Sequence, residues 1–450
     1  MLTQKIKDKT VTVAVLGLGH VGYPMSTLFG KNGFQTIGYD INTQRLNDIK
    51  QGKVLLELTS ILPTDEQEKQ KALAEIKKNV QLSNSEEDLK NADVYVVDVP
   101  TPLKENETPN LVFLTNTCKA ISMCLKKGNL VVVESTIYPG ATEEIVKPIL
   151  EESGLEAGKD FYLSFSPERI DPGNKKWSLE LIPKIVGGIN KESVDVACLL
   201  FSKIVAKVVP ASSLQVAEAT KMVENLFRSV NIALINDLSK FFEKMGIDTW
   251  ETIAAASTKP FGFMPHYPGP GVGGHCIPKD PFYLLYKARK MGMNLEFVEE
   301  AAAVNKNMPL YVVHLIEDTL KMQNKSLRGS SFAVLGVTYK KDVLDLRRTP
   351  AKTVITELCK FSKDVVTFDP MTTESYGAKT GKTLEETIKN KDCIVLLADH
   401  AYFKENNLED KINKLSPNCC VVDTRNFVDE TKLKASILCR CLGKPVKSGQ

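Results

Sequence analysis

Residues 11–40 constrain the fold more than any other stretch. Val11 to Leu16 is a continuous apolar run, VTVAVL, of the kind that forms a buried parallel strand. It runs straight into Gly17-Leu18-Gly19-His20-Val21-Gly22, a full G-x-G-x-x-G. A helical pattern follows through Met25, Leu28 and Phe29, Gly33 punctuates it, and a second strand, FQTIGYD, ends in Asp40. Strand, glycine turn, helix, strand and an acid about twenty positions on make a dinucleotide-binding unit. Gly17 makes the turn, Gly19 lets a pyrophosphate approach, and Gly22 lets helix pack on strand. The helix start directs amides at the phosphates. Asp40 would accept the adenosine ribose hydroxyls and repel a 2′-phosphate, so NAD is favoured over NADP, and Arg45 blurs that preference.

Further strands end suggestively. ADVYVVDVPTP breaks at Pro100-Thr101-Pro102, and LVVVESTIYPG ends at Glu134-Ser135-Thr136. Ligands of open α/β sheets lie at the carboxyl ends of strands, where Thr101, Thr136 and Glu134 fall. The alternative is that threonine and proline simply end strands there. FYLSFSPERIDPGN places Glu168 and Arg169 at another strand end, before a loop with Asp171, Pro172 and Gly173. A salt-bridged surface loop is the competing reading. Residues of about 53–78 are charge-rich and expected to be helical on a surface.

From Leu214 to Lys244 the period becomes helical, with Val216, Thr220, Val223, Phe227, Val230, Leu234, Leu238 and Phe241 recurring every three or four residues. Glu218, Lys221, Asn225 and Arg228 form one polar stripe. It is either a solvated face or a site in which a lysine and an amide hold an oxyanion. After a further helix through Leu295–Met322, SFAVLGVTYKKDVLDLRRTPA opens a second strand–turn–helix unit, with strands at DVVTFDP, CIVLLAD and CCVVDTRN. Lys340, Lys341 and Arg347 in its first turn suit a phosphate. The expected organisation is α/β, with two Rossmann-like domains (1–210 and 326–450) joined by a long central helix and a helical segment (211–325).

That middle segment carries GPGVGGHCIPKDPFYL, residues 269–284. Cys276 sits among Gly271, Gly273, Gly274 and His275, with Asp280 four residues on. It reads as a nucleophile on a close-approach turn or as a buried structural thiol. The ten cysteines show no CxxC or Cys/His spacing, so no metal is expected and the thiols are expected to be reduced in a cytosol. A formal net charge of +3 argues against a nucleic-acid partner. No run is long enough to span a bilayer, and the first residues do not read as a signal peptide.

Taken together, the glycine turn, VPTP, ESTIYPG, SPERIDPGN, EATKMVENLFRSVNIALINDL, PGPGVGGHCIPKDP and LGVTYKKDVLDLR resemble the nucleotide-sugar 6-dehydrogenases over essentially the whole chain. The resemblance implies two Rossmann-like domains about a long helix, a homodimer or larger oligomer, and oxidation of a sugar CH₂OH to carboxylate with two NAD⁺ in succession. It implies that Cys276 forms a thiohemiacetal and then a thioester. Lys221 and Asn225 stabilise the negative oxygen, and Asp280, Glu168 and a water near Thr136 serve acid–base steps. Gly17, Gly19, His20, Val21, Gly22, Asp40, Arg45, Thr101, Thr136 and Arg347 match cofactor contacts. Arg169, Ile170, Lys221, Asn225, Arg228, Gly273, Tyr339 and Lys340 match positions that hold the UDP-sugar. His20 replaces a frequent tyrosine, and Arg348 stands where the pattern carries glutamate. SPERIDPGN with KPFGFMPHYPGPG is most similar to members acting on UDP-N-acetylglucosamine. UDP-N-acetylmannosamine, UDP-N-acetylgalactosamine and UDP-glucose are alternatives. The competing functions are a two-electron hydroxyacid dehydrogenase and a non-catalytic NAD- or UDP-sugar-binding regulator.

Overall fold

The first apolar run becomes β1 (Thr12–Leu16), flanked by β2 (Gln35–Tyr39) and β4 (Val94–Val97), both parallel to it. In the computed structural model, which describes residues 1–53, 58, 61–62, 65–170 and 177–446, β1 lies inside a larger sheet. The other strands are β3 (Val80–Ser83), β5 (Leu130–Val133), β6 (Tyr162–Phe165), β7 (Lys184–Gly188) and β8 (Val208–Pro210). Among the described residues the order is β3-β2-β1-β4-β5-β6-β7-β8. The pairing is parallel except between β6 and β7. β4 and β5 are apolar on both faces and fully buried, as a sheet covered by helices on both sides requires. Reading the strands by apolar runs finds β1, β2, β4, β5 and β6. It passes over β3, β7 and β8, which are shorter on apolar residues.

The second sheet contains β9 (Phe332–Leu335), β10 (Val365–Phe368), β11 (Lys379–Thr380), β12 (Cys393–Leu396), β13 (Cys420–Asp423) and β14 (Leu438–Cys441). Its order is β11-β10-β9-β12-β13-β14, parallel throughout. The protein is thus an α/β protein with two Rossmann-like sheets. Contacts divide the chain into two units, 1–224 with 282–293 and 225–281 with 294–450. The segment 211–325 is thereby shared between them.

The long helix runs Leu214–Met245 and ends at Gly246, whose φ of +77° suits a helix stop. Its faces are the reverse of what an amphipathic pattern suggests. Val216, Val223, Phe227, Leu234 and Phe241 are exposed, whereas Ala217, Glu218, Asn225, Ser229, Asn236 and Ser239 are buried. Of the polar stripe, Glu218 and Asn225 face protein, Lys221 is half-buried and Arg228 is exposed; the Glu218 carboxylate accepts from the Gly140 and Thr142 amides and the Thr142 hydroxyl. The helix Glu296–Met322 follows the expected bounds closely. Asp248 caps Thr249–Ala256 through the amides of Trp250 and Glu251. In the charge-rich stretch a helix spans Glu66–Asn79.

Candidate active site

In the first unit the glycine turn is shaped for a close-approaching ligand. Gly17 has φ +95°, and a side chain there would meet the Asp98 carbonyl at 2.8 Å. A side chain on Gly22 would lie 1.9 Å from the Gly17 carbonyl oxygen, so the helix Gly22–Lys31 reaches the turn only without one. Nothing lies within 4 Å of the place a Gly19 side chain would occupy. Gly19 and His20 are exposed and Val21 is half-buried. Asp40 accepts the amides of Leu18 at 2.7 Å and Asn42 at 2.8 Å, which ties the acid to the turn and leaves it acceptor capacity. Arg45 donates to the Leu18 carbonyl at 2.6 Å and lies over the Tyr23 ring. A cavity of about 630 Å³ opens here, lined by Gly17, Gly19, Asp40, Arg45, Val99 and Phe113 among others. Space over Gly19 and an acid at the second strand's end fit a dinucleotide, as the sequence implies.

The strand ends beside this cavity converge. Thr101 donates its hydroxyl to the Thr136 carbonyl at 2.8 Å, and the Tyr283 hydroxyl donates to the Thr101 carbonyl at 2.9 Å. Beyond them lies a buried charge cluster. The Lys184 ammonium pairs with Glu134 at 2.7 Å and Glu168 at 3.0 Å, and all three are buried. Burial raises Glu134 to about 7 despite Lys184, with Glu168 adding to the rise. Burial, then Glu134 and Glu168, hold Asp98 well above its ordinary value. Burial pushes Glu168 upward too, but Lys184, Lys221 and the Ile170 amide outweigh it and set Glu168 below its ordinary value. The Glu168 carboxylate accepts the Arg169 and Ile170 amides at 2.7 and 2.6 Å, and its carbonyl receives the Lys221 ammonium. Arg169 pairs with Glu224 of the long helix at 2.8 Å. Ile170 is half-buried against the core. Asp171, Pro172 and Gly173 lie outside the described residues.

In the second unit the cysteine turn is built on its own backbone: the amides of Lys279 and Asp280 both donate to the Cys276 carbonyl at 2.9 Å, starting the helix Asp280–Lys290. Asp280 is buried, paired with Lys279 at 3.1 Å and accepting the Asn225 amide at 2.5 Å. The glycines here serve packing. A side chain on Gly273 would sit 2.3 Å from the Tyr339 β-carbon, and Gly274 donates to the Arg347 carbonyl at 2.8 Å. Tyr339 and Lys340 are half-buried on the turn after β9, while Arg228 is exposed on the long helix. Arg347 forks onto Asp345, whose hydrogen bonds chiefly raise its pKa, with the Cys276 sulfur contributing. His275 Nδ1 lies 3.9 Å from the Cys276 sulfur. Burial, then Lys279 and Arg347, lower this imidazole to about 4, so it is neutral near pH 7. The Cys276 sulfur is thus half-buried, with the Arg347 guanidinium and a neutral imidazole as neighbours. Burial raises Cys118 and Cys419 to about 12 and drives Cys393, Cys439 and Cys441 well above their ordinary value.

The structure therefore joins Gly17, Gly19, Asp40, Arg45, Thr101 and Thr136 along one sheet edge, with Glu168, Arg169, Ile170 and Lys221 at the next strand end. Within the second unit it gathers Asn225, Gly273, Cys276, Asp280, Tyr339 and Arg347. Sequence reading passes over Lys184, whose only signal is a lysine opening an otherwise apolar strand. It also passes over Lys279, whose full burial no local pattern reveals. Among the described residues no group of three or more His, Cys, Asp or Glu is placed to hold a metal, and no helix is long and apolar enough to cross a membrane.

A glycine turn open to a close-approaching ligand beside an acid at the second strand's end, on one of two Rossmann-like sheets, together with a half-buried thiol on a glycine-rich turn, fits a nicotinamide-dependent oxidoreductase. Comparison with known proteins narrows this. The chain matches the NAD binding domain of the UDP-glucose/GDP-mannose dehydrogenase family over residues 11–205, the central domain over 215–307 and the UDP binding domain over 333–430. It is 38% identical over 432 residues to a UDP-N-acetyl-D-glucosamine 6-dehydrogenase of Pseudomonas aeruginosa, covering 94% of this chain and 99% of that one. It is 35% identical over 430 residues to a UDP-N-acetyl-D-mannosamine dehydrogenase of Methanococcus maripaludis, covering 94% of each. The solved UDP-D-ManNAc dehydrogenase of Pyrococcus horikoshii superposes with a TM-score of 0.86 at 30% identity, covering 96% of this chain and 99% of that one. The chain therefore belongs to the UDP-glucose/GDP-mannose dehydrogenase family and is an NAD-dependent nucleotide-sugar 6-dehydrogenase.

Proposed function

We propose that the protein oxidises the C6 alcohol of a UDP-N-acetylhexosamine, UDP-N-acetylglucosamine in the first place, to the UDP-uronate. The observation that carries the choice of sugar is the 38% identity, over nearly the whole of both chains, to an enzyme named for that substrate. The relatives named for UDP-N-acetyl-D-mannosamine reach 35%, so that epimer is the second reading. NAD⁺ in the Gly17–Gly22 cradle, against Asp40, Arg45, Thr101 and Thr136, supplies a two-electron hydride acceptor, used twice for each sugar.

The residues of the chain do the rest. The alcohol loses a hydride and a proton and becomes an aldehyde. The Cys276 thiolate adds to the aldehyde carbon, and the oxygen that gains charge is stabilised by the Lys221 ammonium and the Asn225 amide. Loss of a second hydride from this thiohemiacetal leaves a thioester on Cys276. Water then cleaves the carbon–sulfur bond, giving the carboxylate, a free thiol and a proton. Covalent capture keeps the aldehyde from escaping. Asp280, oriented by Lys279 and Asn225, and Glu168, with a water near Thr136, are the carboxylates for proton transfer. Arg347 belongs with the cofactor contacts. Arg169, Ile170, Arg228, Gly273, Tyr339 and Lys340 hold the sugar nucleotide. The exposed row Val223, Phe227, Leu234 and Phe241 supports a homodimer through the long helix, and ten free cysteines suit a cytoplasmic setting.

The test is NADH formation over a panel of UDP-N-acetylglucosamine, UDP-N-acetylmannosamine, UDP-N-acetylgalactosamine and UDP-glucose. The highest kcat/KM is expected on the first. A highest value on the mannosamine epimer replaces it, and tight binding without NADH on any sugar selects the regulator reading.

A further inference from the structure

The cluster behind Glu168 carries more charge than the chemistry above uses. Lys184 is the first residue of β7, the strand that runs antiparallel to β6. That reversal brings the start of β7 to the carboxyl end of β6, beside the turn Ser166–Ile170. Glu134 arrives at the same edge from the end of β5. A buried lysine is held there by Glu134 at 2.7 Å, Glu168 at 3.0 Å, and the Phe201 ring with its centroid at 5.1 Å. Burial works against its charge, but Glu134 and Glu168 outweigh this, so the ammonium stays charged. Removing a lone partner from such a site is costly, and a buried cation is retained only where its partners are well placed.

Glu168 is equally committed. One carboxylate oxygen accepts two amides of its own turn, from Arg169 and Ile170, and the other accepts Lys184. A second tie fixes the same turn to the same strand: Arg169 donates to the carbonyl of Pro183, next to Lys184, at 2.8 Å. The carbonyl of Glu168, held in place by these contacts, is the acceptor for the Lys221 ammonium.

We propose that Lys184 is a positioning residue: by anchoring Glu168 it fixes the turn whose carbonyl receives Lys221, and so sets where the Lys221 ammonium sits. Glu134 is the counter-charge that lets Lys184 do this inside the protein. The inference rests on the reading of Lys221 as the group that meets the reacting oxygen. The tether itself does not depend on which sugar is oxidised.

The experiment pairs Lys184→Met with the double variant Glu134→Gln/Lys184→Met, which removes both members of the buried pair and avoids leaving Glu134 without its cation. Steady-state rates are measured on the wild type's best UDP-sugar. Acetylation of Lys221 by acetic anhydride is followed by mass spectrometry, with the exposed Lys127 as internal reference. The expected result is a double variant whose melting temperature lies nearer the wild type than the single variant's does. Its kcat is at least tenfold lower, both KM values change less than threefold, and Lys221 acetylates at least threefold faster. A double variant that regains stability together with full kcat, or that leaves Lys221 acetylation unchanged, overturns the proposal. Wild-type Lys221 acetylating as fast as Lys127 overturns it without any variant. A wild type that forms no NADH from any UDP-sugar refutes the functional reading instead, while the acetylation comparison still decides the tether.

Discussion

Glu134→Gln tests the buried cluster through the pH dependence of folding. The Glu134 carboxyl titrates at about 7 in the fold, raised by burial, against an ordinary value of 4.5. Between those values the folded protein holds a proton that the unfolded chain has released. The stability this group contributes is therefore fully present below about 4.5 and is lost as pH rises through about 7. A gap of about 2.5 pH units at about 1.36 kcal/mol each amounts to about 3 kcal/mol. Asp98, raised by burial and then by Glu134, acts in the same direction, and losing the Glu134 charge lowers it, which widens the difference between the two proteins. Glu168 is lowered, so its contribution is lost only as pH falls through its folded value, below the range of the assay. From pH 5 to pH 8, where part of this gap has already been crossed at the start, the wild type should lose about 2.5 kcal/mol more than Glu134→Gln. With a urea slope of about 3 kcal/mol/M for a unit of this size, the two profiles should diverge by about 1 M in midpoint. A chain of two units need not unfold in one step, so the readout must be local. Cys118 is fully buried in the first unit, and the urea concentration at which it opens to a brief alkylation pulse, read by mass spectrometry, reports that unit alone. Profiles that stay parallel from pH 5 to 8 would refute the buried titration.

Three further outcomes follow from the same geometry. Gly22→Ala places a methyl 1.9 Å from the Gly17 carbonyl, so NADH binding measured by calorimetry should weaken at least tenfold, on the order of 1–3 kcal/mol of overpacking. Unchanged binding would show that the turn does not hold the dinucleotide. Lys279→Met leaves Asp280 buried without its ammonium and should cost about 3–5 kcal/mol in thermal unfolding. Lys279→Met/Asp280→Asn should recover most of that loss, and equal loss in both would count against the pairing. If Asn225 serves the oxyanion as proposed, Asn225→Ala should lower kcat about 100-fold. A kcat within threefold of wild type would remove Asn225 from that role.

What is legible in the chain divides by the range of the interactions involved. The glycine turn and its Asp40 are local, since strand, turn, helix and strand lie within about thirty residues, as a dinucleotide-binding unit does, and the structure reproduces them. The cysteine turn is local as well, closed by the hydrogen bonds from Lys279 and Asp280 to Cys276. The long helix is legible in extent but not in orientation. Periodicity establishes that Val223 and Phe227 share a face, yet only tertiary partners decide that Glu218 and Asn225 face inward. The Glu134–Lys184 pair is out of reach, because the two lie far apart in the chain and only the antiparallel turn of β7 brings them together. His275 is visible as a neighbour of Cys276, but its neutrality follows from burial and from Lys279 and Arg347, which the linear order does not show.

Counting NADH per sugar, with NAD⁺ in excess and the UDP-sugar limiting, in the wild type and in Cys276→Ala tests the central claim most directly. Two NADH for each sugar are expected from the wild type, and at most one, with no uronate, from Cys276→Ala. Two NADH and full uronate from Cys276→Ala would contradict covalent catalysis by that thiol.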